Sequence, residues 1–267
     1  LLQIINLLIY LIMKLKNDWE FNVLNIYNFN KFGNLKYYFE FIKKNHKKVK
    51  GDIVEAGVFQ GRSLLATALF LRELKSNKKV YGFDTFSGFP LENKFHRFDT
   101  SDNWKKLKKN KLIDIDHYYE VKKNEKILKF VKKNKFKKLS YRNLSLSSDF
   151  SENSISKLKQ KIKFLGLKNI ILVKGDFKTT FPNKKNLPKN IFCSIIDADL
   201  YRSYYYSLPQ IYKRLSKGGY LYLDEYYSLK FPGPRLYCNN FAKNHNIKIY
   251  KEKKIHGDFP RYFILKD

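Results

Sequence analysis

Residues 52–86 read DIVEAGVFQGRSLLATALFLRELKSNKKVYGFDTF, and this stretch decides the fold. Asp52 to Ala56 is a short apolar run that breaks at Gly57 and again at Gly61. Leu64, Leu65, Ala68, Leu69 and Leu71 then recur at helical spacing, and a second apolar run ends at Asp84. Strand, turn, helix and strand of this length make the right-handed βαβ unit of a parallel sheet. Ser63 is expected to cap the helix, with the polar turn Lys75-Ser76-Asn77 ending it.

The same rhythm returns further along. NIILVKGD (169–176), NIFCSIID (190–197) and GYLYLDEY (219–226) read as three more buried strands. Between the last two, SYYYSLPQIYKRLSKGG (203–219) has Leu208, Ile211, Tyr212 and Leu215 on one helical face, with Gly218-Gly219 as the expected stop. The closing segment from Ile247 holds two apolar patches around a Gly-Asp-Phe-Pro turn, which predicts an antiparallel pair at a sheet edge. The fold class is therefore α/β, a doubly wound and mostly parallel sheet.

Residues 91–166 break the rhythm. Positions 104–138 hold fourteen lysines against four acids, and Ile127, Leu128 and Val131 read as one side of a helical patch. Ile155, Leu158, Ile162 and Leu165 mark a further amphipathic helix. The region reads as a helical, Lys-rich insertion acting as a lid. The division expected is a helical leader over 1–50 and one domain over 51–267 that carries the insertion.

Fifty-four basic against 24 acidic residues leave a formal charge of +30, which by itself points to a polyanionic partner. Lys, Asn, Ile, Phe and Tyr are together the residues of A/T-rich codons, so the excess is weak evidence for nucleic acid, and no nucleic-acid partner is expected. Two cysteines without framework spacing suit a reducing, cytoplasmic setting. The opening LLQIINLLIYLIM is apolar over thirteen residues, short of the roughly 20 that span a bilayer, so no stable membrane span is expected. The five histidines, His256 included, show no ligand spacing.

Open α/β sheets bind ligands beyond the carboxyl ends of their strands, where strand order reverses. Acids stand at each of these ends: Glu55, Asp84, Asp176, the pair Asp197 and Asp199, and the pair Asp224 and Glu225. The turn Glu55-x-Gly57-x-x-x-Gly61 lacks the GxGxxG spacing of a dinucleotide fold. An adenosyl ligand with a cationic methionyl part fits better: the glycines admit its backbone approach and the acid compensates positive charge. Asp84 can offer two acceptor oxygens to a ribose diol. Four acids at two neighbouring strand ends repel one another unless protons or a cation intervene.

VEAGVFQGRSLLATAL, YGFDTFSGFP, LVKGDFKTTFP, IIDADLYRSYYYSLPQIYKRLSKGGYLYLDEY and PGPRLYCNNF, in this order, resemble the macrocin O-methyltransferase (TylF-like) family of S-adenosylmethionine-dependent enzymes. The resemblance runs from Asp52 to Phe241 and implies the class I, Rossmann-like form of the sheet. It implies donor contacts by Glu55, Ala56, Gly57, Gly61, Ser63, Asp84, Thr85 and Asp176, with Asp176 near the adenine amino group. It also implies Mg2+ on Asp197, Asp224 and Glu225, and Asp199 as general base. Glu225 stands where the family usually has a second Asp.

The activity so implied is methylation of a hydroxyl on a sugar, glycan or glycosylated metabolite, compatible with a homo-oligomer. The physics is consistent with it. An alcohol holds its proton far more tightly than an aspartate of ordinary pKa about 3.9, and a hard cation on the hydroxyl closes that gap. Two rivals are a metal-independent small-molecule methyltransferase and a basic nucleic-acid-binding protein.

Overall fold

Strands covered on both faces must be largely apolar, as IFCSII (Ile191–Ile196), buried at every position, shows most clearly. The computed structural model describes residues 14–31, 33–91, 94–132, 140–253 and 259–267. The opening apolar stretch and His256 lie outside the described residues. Seven strands, β1 (Asp52–Ala56), β2 (Val80–Asp84), β3 (Ile170–Lys174), β4 (Ile191–Ile196), β5 (Leu215–Leu223), β6 (Tyr250–Lys251) and β7 (Tyr262–Leu265), form one sheet in the order β3-β2-β1-β4-β5-β7-β6. The first five are parallel, and β7 runs antiparallel to both β5 and β6. The expected terminal pair is therefore present, and the strand order reverses between β1 and β4.

Nine helices are described: α1 (Asp18–Val23), α2 (Lys36–Asn45), α3 (Arg62–Glu73), α4 (Asp102–Lys109), α5 (Ile115–Lys132), α6 (Ile155–Phe164), α7 (Phe177–Thr180), α8 (Tyr201–Arg214) and α9 (Gly233–Asn244). Alternate residues of each strand enter opposite cores. Ile53, Cys193 and Tyr220 face a core built with α1, α2, α3 and α6, whereas Val54, Ile196 and Leu221 face one built with α7, α8 and α9. Phe21, Tyr38 and Ile42 of the N-terminal helices thus share a core with Leu65 and Leu69 of the crossover helix. Truncating a side chain as buried as Leu65 to alanine would cost about 2–5 kcal/mol.

Register does the rest. Ala56 pairs with Phe83 on one side and Ile196 on the other, and Ile196 pairs with Leu223. The next residue of each strand therefore falls in one row: Gly57, Asp84, Asp197 and Asp224.

Three local expectations are corrected. The α3 cap is Gly61 in the left-handed region (φ 81°), not Ser63, whose hydroxyl turns instead to Glu55. Helix α8 ends at Arg214, before Gly218-Gly219, because Leu215 turns extended and begins β5; Gly218 donates to the Lys266 carbonyl at 2.6 Å. Along α5, Leu128 is buried while Ile127 and Val131 are exposed, so the three do not share a side. At 100° per residue, Leu128 falls with His117 and Val121 on the inner face. Among the described residues no helix is long and apolar enough to cross a membrane.

Candidate active site

The glycine turn is shaped by what presses on it. Gly57 has φ 93°, and a Cβ there would lie 1.7 Å from the Asp197 carbonyl oxygen. Gly61 allows the Leu158 side chain to approach, since a Cβ would meet its Cδ1 at 2.4 Å. Between these glycines the chain offers its amides to Asp84: Val58 N–H at 2.9 Å and Phe59 N–H at 2.8 Å, both onto Oδ2. The other oxygen accepts from Phe86 N–H at 2.6 Å and from the Asn153 amide at 3.2 Å. The second-strand acid thus organises the loop while lining the cavity beside Thr85.

Beneath the turn lies Glu55. Burial pushes its carboxyl up to about 8, partly offset by the Ser63 hydroxyl, which donates to Oε1 at 2.7 Å. Its Oε2 is buried without a hydrogen-bond partner in the structure. Ala56, one residue on, is fully buried and packs inward.

Asp176 caps α7 through the Lys178 amide, and Arg202 grips both its oxygens at 2.8 Å. Burial would raise its pKa, but the Arg202 fork and the Lys178 amide hold it below the usual carboxylate value. Arg202, rather than Asp176, lines the cavity, and Asp176 reaches it only through this guanidinium.

Across the switch point the acids crowd. Asp197, Asp224 and Glu225 each offer an oxygen within 4.8 Å of the others. Asp197 has exposed surface, but that surface opens into the cavity, whose walls limit its contact with bulk water. That enclosure and then the charges of Asp224, Asp199 and Glu225 push its carboxyl well above the ordinary range. Glu225 is raised to about 8, chiefly by burial. Asp199 is a non-glycine residue at φ 58°, a conformation disfavoured by roughly 1–2 kcal/mol, and it lies beside the triad without belonging to it. Burial raises its pKa and Lys230 opposes the rise.

Two cations that the motifs did not reveal complete the cluster. Lys230 Nζ lies 3.8 Å from Asp199 Oδ1, and Arg261 Nη1 lies 3.2 Å from Asp224 Oδ1. Burial alone would lower the lysine, but Glu225, Asp199, Asp197 and Asp224 hold it above its ordinary value. Four carboxylates and two cations leave a formal charge of −2. Oxygen-only donors at this spacing, with a carboxylate pushed up by its own neighbours, suit a hard divalent ion. The residues present therefore fit Mg2+, although Lys230, close to Asp199 and Glu225, and Arg261 on Asp224 already supply part of the positive charge.

Gly57, Asp84, Arg202, Asp197, Asp199, Asp224, Glu225 and Lys230 border one cavity of about 420 Å³, which also reaches Ser63, Phe150 and Phe177; Glu55, Gly61, Asp176 and Arg261 stand behind that lining. Residues between β2 and β3 hold the far wall of the cavity. The Asn124 amide of α5 donates to the Leu229 carbonyl at 3.1 Å, and His117 Nε2 meets the Ser228 carbonyl at 2.8 Å. Asp99 accepts from the Tyr201 amide at 3.1 Å, tying the insertion to the start of α8. Tyr204 is packed, its hydroxyl donating to the Ile196 carbonyl at 2.8 Å, while Tyr205 is exposed.

A mostly parallel seven-stranded sheet that reverses order between β1 and β4, with acids in register over a cavity there, is a Rossmann-like fold with its ligand crevice at the switch point. The family model for macrocin-O-methyltransferase (TylF) matches residues 17–134 and 135–252, and the chain belongs to that family. It is an O-methyltransferase. Among solved structures, the O-methyltransferase NovP is similar at 18% identity, 86% of this chain, 80% of that one and TM-score 0.59. The calicheamicin methyltransferase CalS11 is similar at 20% identity, 87% and 77% coverage and TM-score 0.56. An O-methyltransferase from Bacillus cereus in complex with SAH aligns over 97% of this chain and 94% of that one, at 11% identity and TM-score 0.50. At these identities the likeness is one of fold. No curated protein matches the sequence.

Proposed function

We propose that the chain moves the methyl group of S-adenosylmethionine to a hydroxyl of a sugar or glycosylated metabolite, with Asp199 as the base. The observation that carries this is the register, which sets Gly57, Asp84, Asp197 and Asp224 side by side over one cavity. The glycine turn and Asp84 would bind the donor, with Glu55 and Ser63 beneath it and Asp176 holding Arg202 at the cavity wall. The names of NovP and CalS11, both methyltransferases, and the SAH held by the Bacillus cereus enzyme support the donor and the reaction class.

In the transfer, the acceptor oxygen forms a bond to the methyl carbon as the carbon–sulfur bond breaks. The electron pair stays on sulfur, which becomes neutral, and the hydroxyl proton passes to Asp199. The chain's main contribution is alignment of oxygen and methyl. Asp197, Asp224 and Glu225 would hold Mg2+, which when bound lowers the acidity barrier of the acceptor and fixes its orientation. Residues 91–166, joined to the cavity wall through Asn124 and His117, would act as the lid on one domain spanning 51–267.

One observation favours a metal-independent version: Lys230 and Arg261 already stand among the acids. Titration calorimetry with S-adenosylmethionine, using Asp84→Ala as control, tests the donor site. Methyl transfer to a panel of sugars with and without EDTA then separates the two versions. Failure of the wild type to bind the donor overturns both.

A further inference from the structure

The outer face of α5 carries apolar surface that is exposed among the described residues. Ile115, Tyr119, Ile127, Phe130 and Val131 are exposed, Phe130 by 81%. Ile127, Phe130 and Val131 stand at i, i+3 and i+4, so they form one continuous patch near the end of the helix. Lys123 and Lys126 lie one turn before Ile127 and Phe130 on the same rows, and Lys129 flanks them; all three lysines are exposed. Lys132, at the helix end, turns inward and donates to the carbonyls of Asn143 and Ser145. That contact sets Leu146, 77% exposed, beside the same end of the helix.

A helix resting on a protein normally turns polar residues outward. Here the inner face is filled in the usual way by His117, Val121 and Leu128, yet the outer face, acidic near its start at Asp116 and Glu120, is apolar and basic together from Lys123 onward. Three partners could in principle cover it. The cores of protein–protein interfaces are depleted of lysine, which disfavours a second copy of the chain. Nucleic acid gains little from Ile127 and Val131, because unstacked bases seek aromatic or guanidinium planes. An anionic bilayer satisfies both halves: apolar side chains enter the boundary between headgroups and acyl chains, and lysines meet the lipid phosphates.

We propose that α5 docks this face on an anionic lipid surface, with Ile127, Phe130, Val131 and Leu146 entering the boundary and Lys123, Lys126 and Lys129 pairing with phosphates. The inner face of the same helix holds the loop Ser228–Leu229 at the cavity wall, so docking brings the cavity close to the bilayer. The docking does not depend on the reaction proposed above.

The test is cosedimentation of the full chain with phosphatidylcholine vesicles containing about a quarter phosphatidylglycerol, against pure phosphatidylcholine vesicles. The expected result is binding to the anionic vesicles alone, weakening as salt rises. Phe130→Ser with Val131→Ser should reduce the partition by about tenfold or more with an unchanged melting temperature, since both side chains are solvent-facing. Phe130→Trp should retain binding and shift its fluorescence to the blue on adding anionic vesicles. Three outcomes overturn the proposal. They are no binding to anionic vesicles, binding untouched by the double serine variant, and a wild-type dimer in sedimentation that the same variant dissociates.

Discussion

The two flanks of the switch point use the same residue type in opposite ways. On the β2 side, the Asp84 carboxylate is surrounded by donors of its own chain, the amides of Val58, Phe59 and Phe86 and the side chain of Asn153. On the β4–β5 side, Asp197, Asp199, Asp224 and Glu225 face each other, and their compensation comes from side-chain cations, Lys230 and Arg261. Acids of the first kind shape a loop and leave spare lone pairs for a ligand. The second kind creates a demand for positive charge that two side chains meet only in part.

That contrast can be broken most severely at Asp199. Replacing it with asparagine keeps shape and removes the proton acceptor, so methyl transfer should fall by roughly 10²–10⁴-fold while calorimetric donor binding is unchanged. Equal loss of donor binding would place Asp199 on the wrong flank.

Glu55 gives the next effect, of the order of a few kcal/mol. Burial pushes its carboxyl up to about 8 in the folded protein, against 4.5 for the free side chain. For an acid raised in this way, the unfolded chain ionises first, so stability is full below about 4.5 and declines as pH rises to about 8. Glu55→Gln should flatten the wild-type decline in denaturant midpoint across that window and be the more stable protein at its upper end. Glu225, raised to about 8 as well, keeps its own part of the decline, so a slope undiminished in the Glu55→Gln variant would assign the titration elsewhere.

Lys230→Met sharpens the comparison further. Removing the ammonium leaves Asp199 and Glu225 less compensated, and the protein in EDTA should lose about 1–2 kcal/mol of stability, read as a lower melting temperature. Added Mg2+ should restore more of the loss than it adds to the wild type. The equivalent change on the other flank, Asn153→Ala beside Asp84, should show no such response to Mg2+.

How far this was legible in the sequence follows from the physics of each part. β1, β4 and the second half of β5 lie in the middle of the sheet and are covered on both faces, so each had to be a mainly apolar run, and each is followed by an acid or glycine at its carboxyl end. The acid row followed from those endings. The partners of the acids did not. Arg261 comes from the edge of the sheet, Lys230 from an irregular loop and Arg202 from the first turn of α8, and no periodicity ties any of them to Asp224, Asp199 or Asp176. The α5 faces were misjudged because adjacent apolar residues, Ile127 and Leu128, admit two orientations until the protein beneath the helix selects one. Ser63 looked like a cap because the buried carboxylate it serves, Glu55, stands eight residues earlier on a strand.

Asp197, Asp224 and Glu225 would act together as one divalent-cation site. Electron paramagnetic resonance of Mn2+ titrated into the full chain measures this without any acceptor. The account requires one tightly held Mn2+ per chain, displaced by Mg2+ and lost in Asp197→Asn, in a variant that still binds S-adenosylmethionine. Free Mn2+ signal at every ratio, in a wild type that binds the methyl donor, would contradict it.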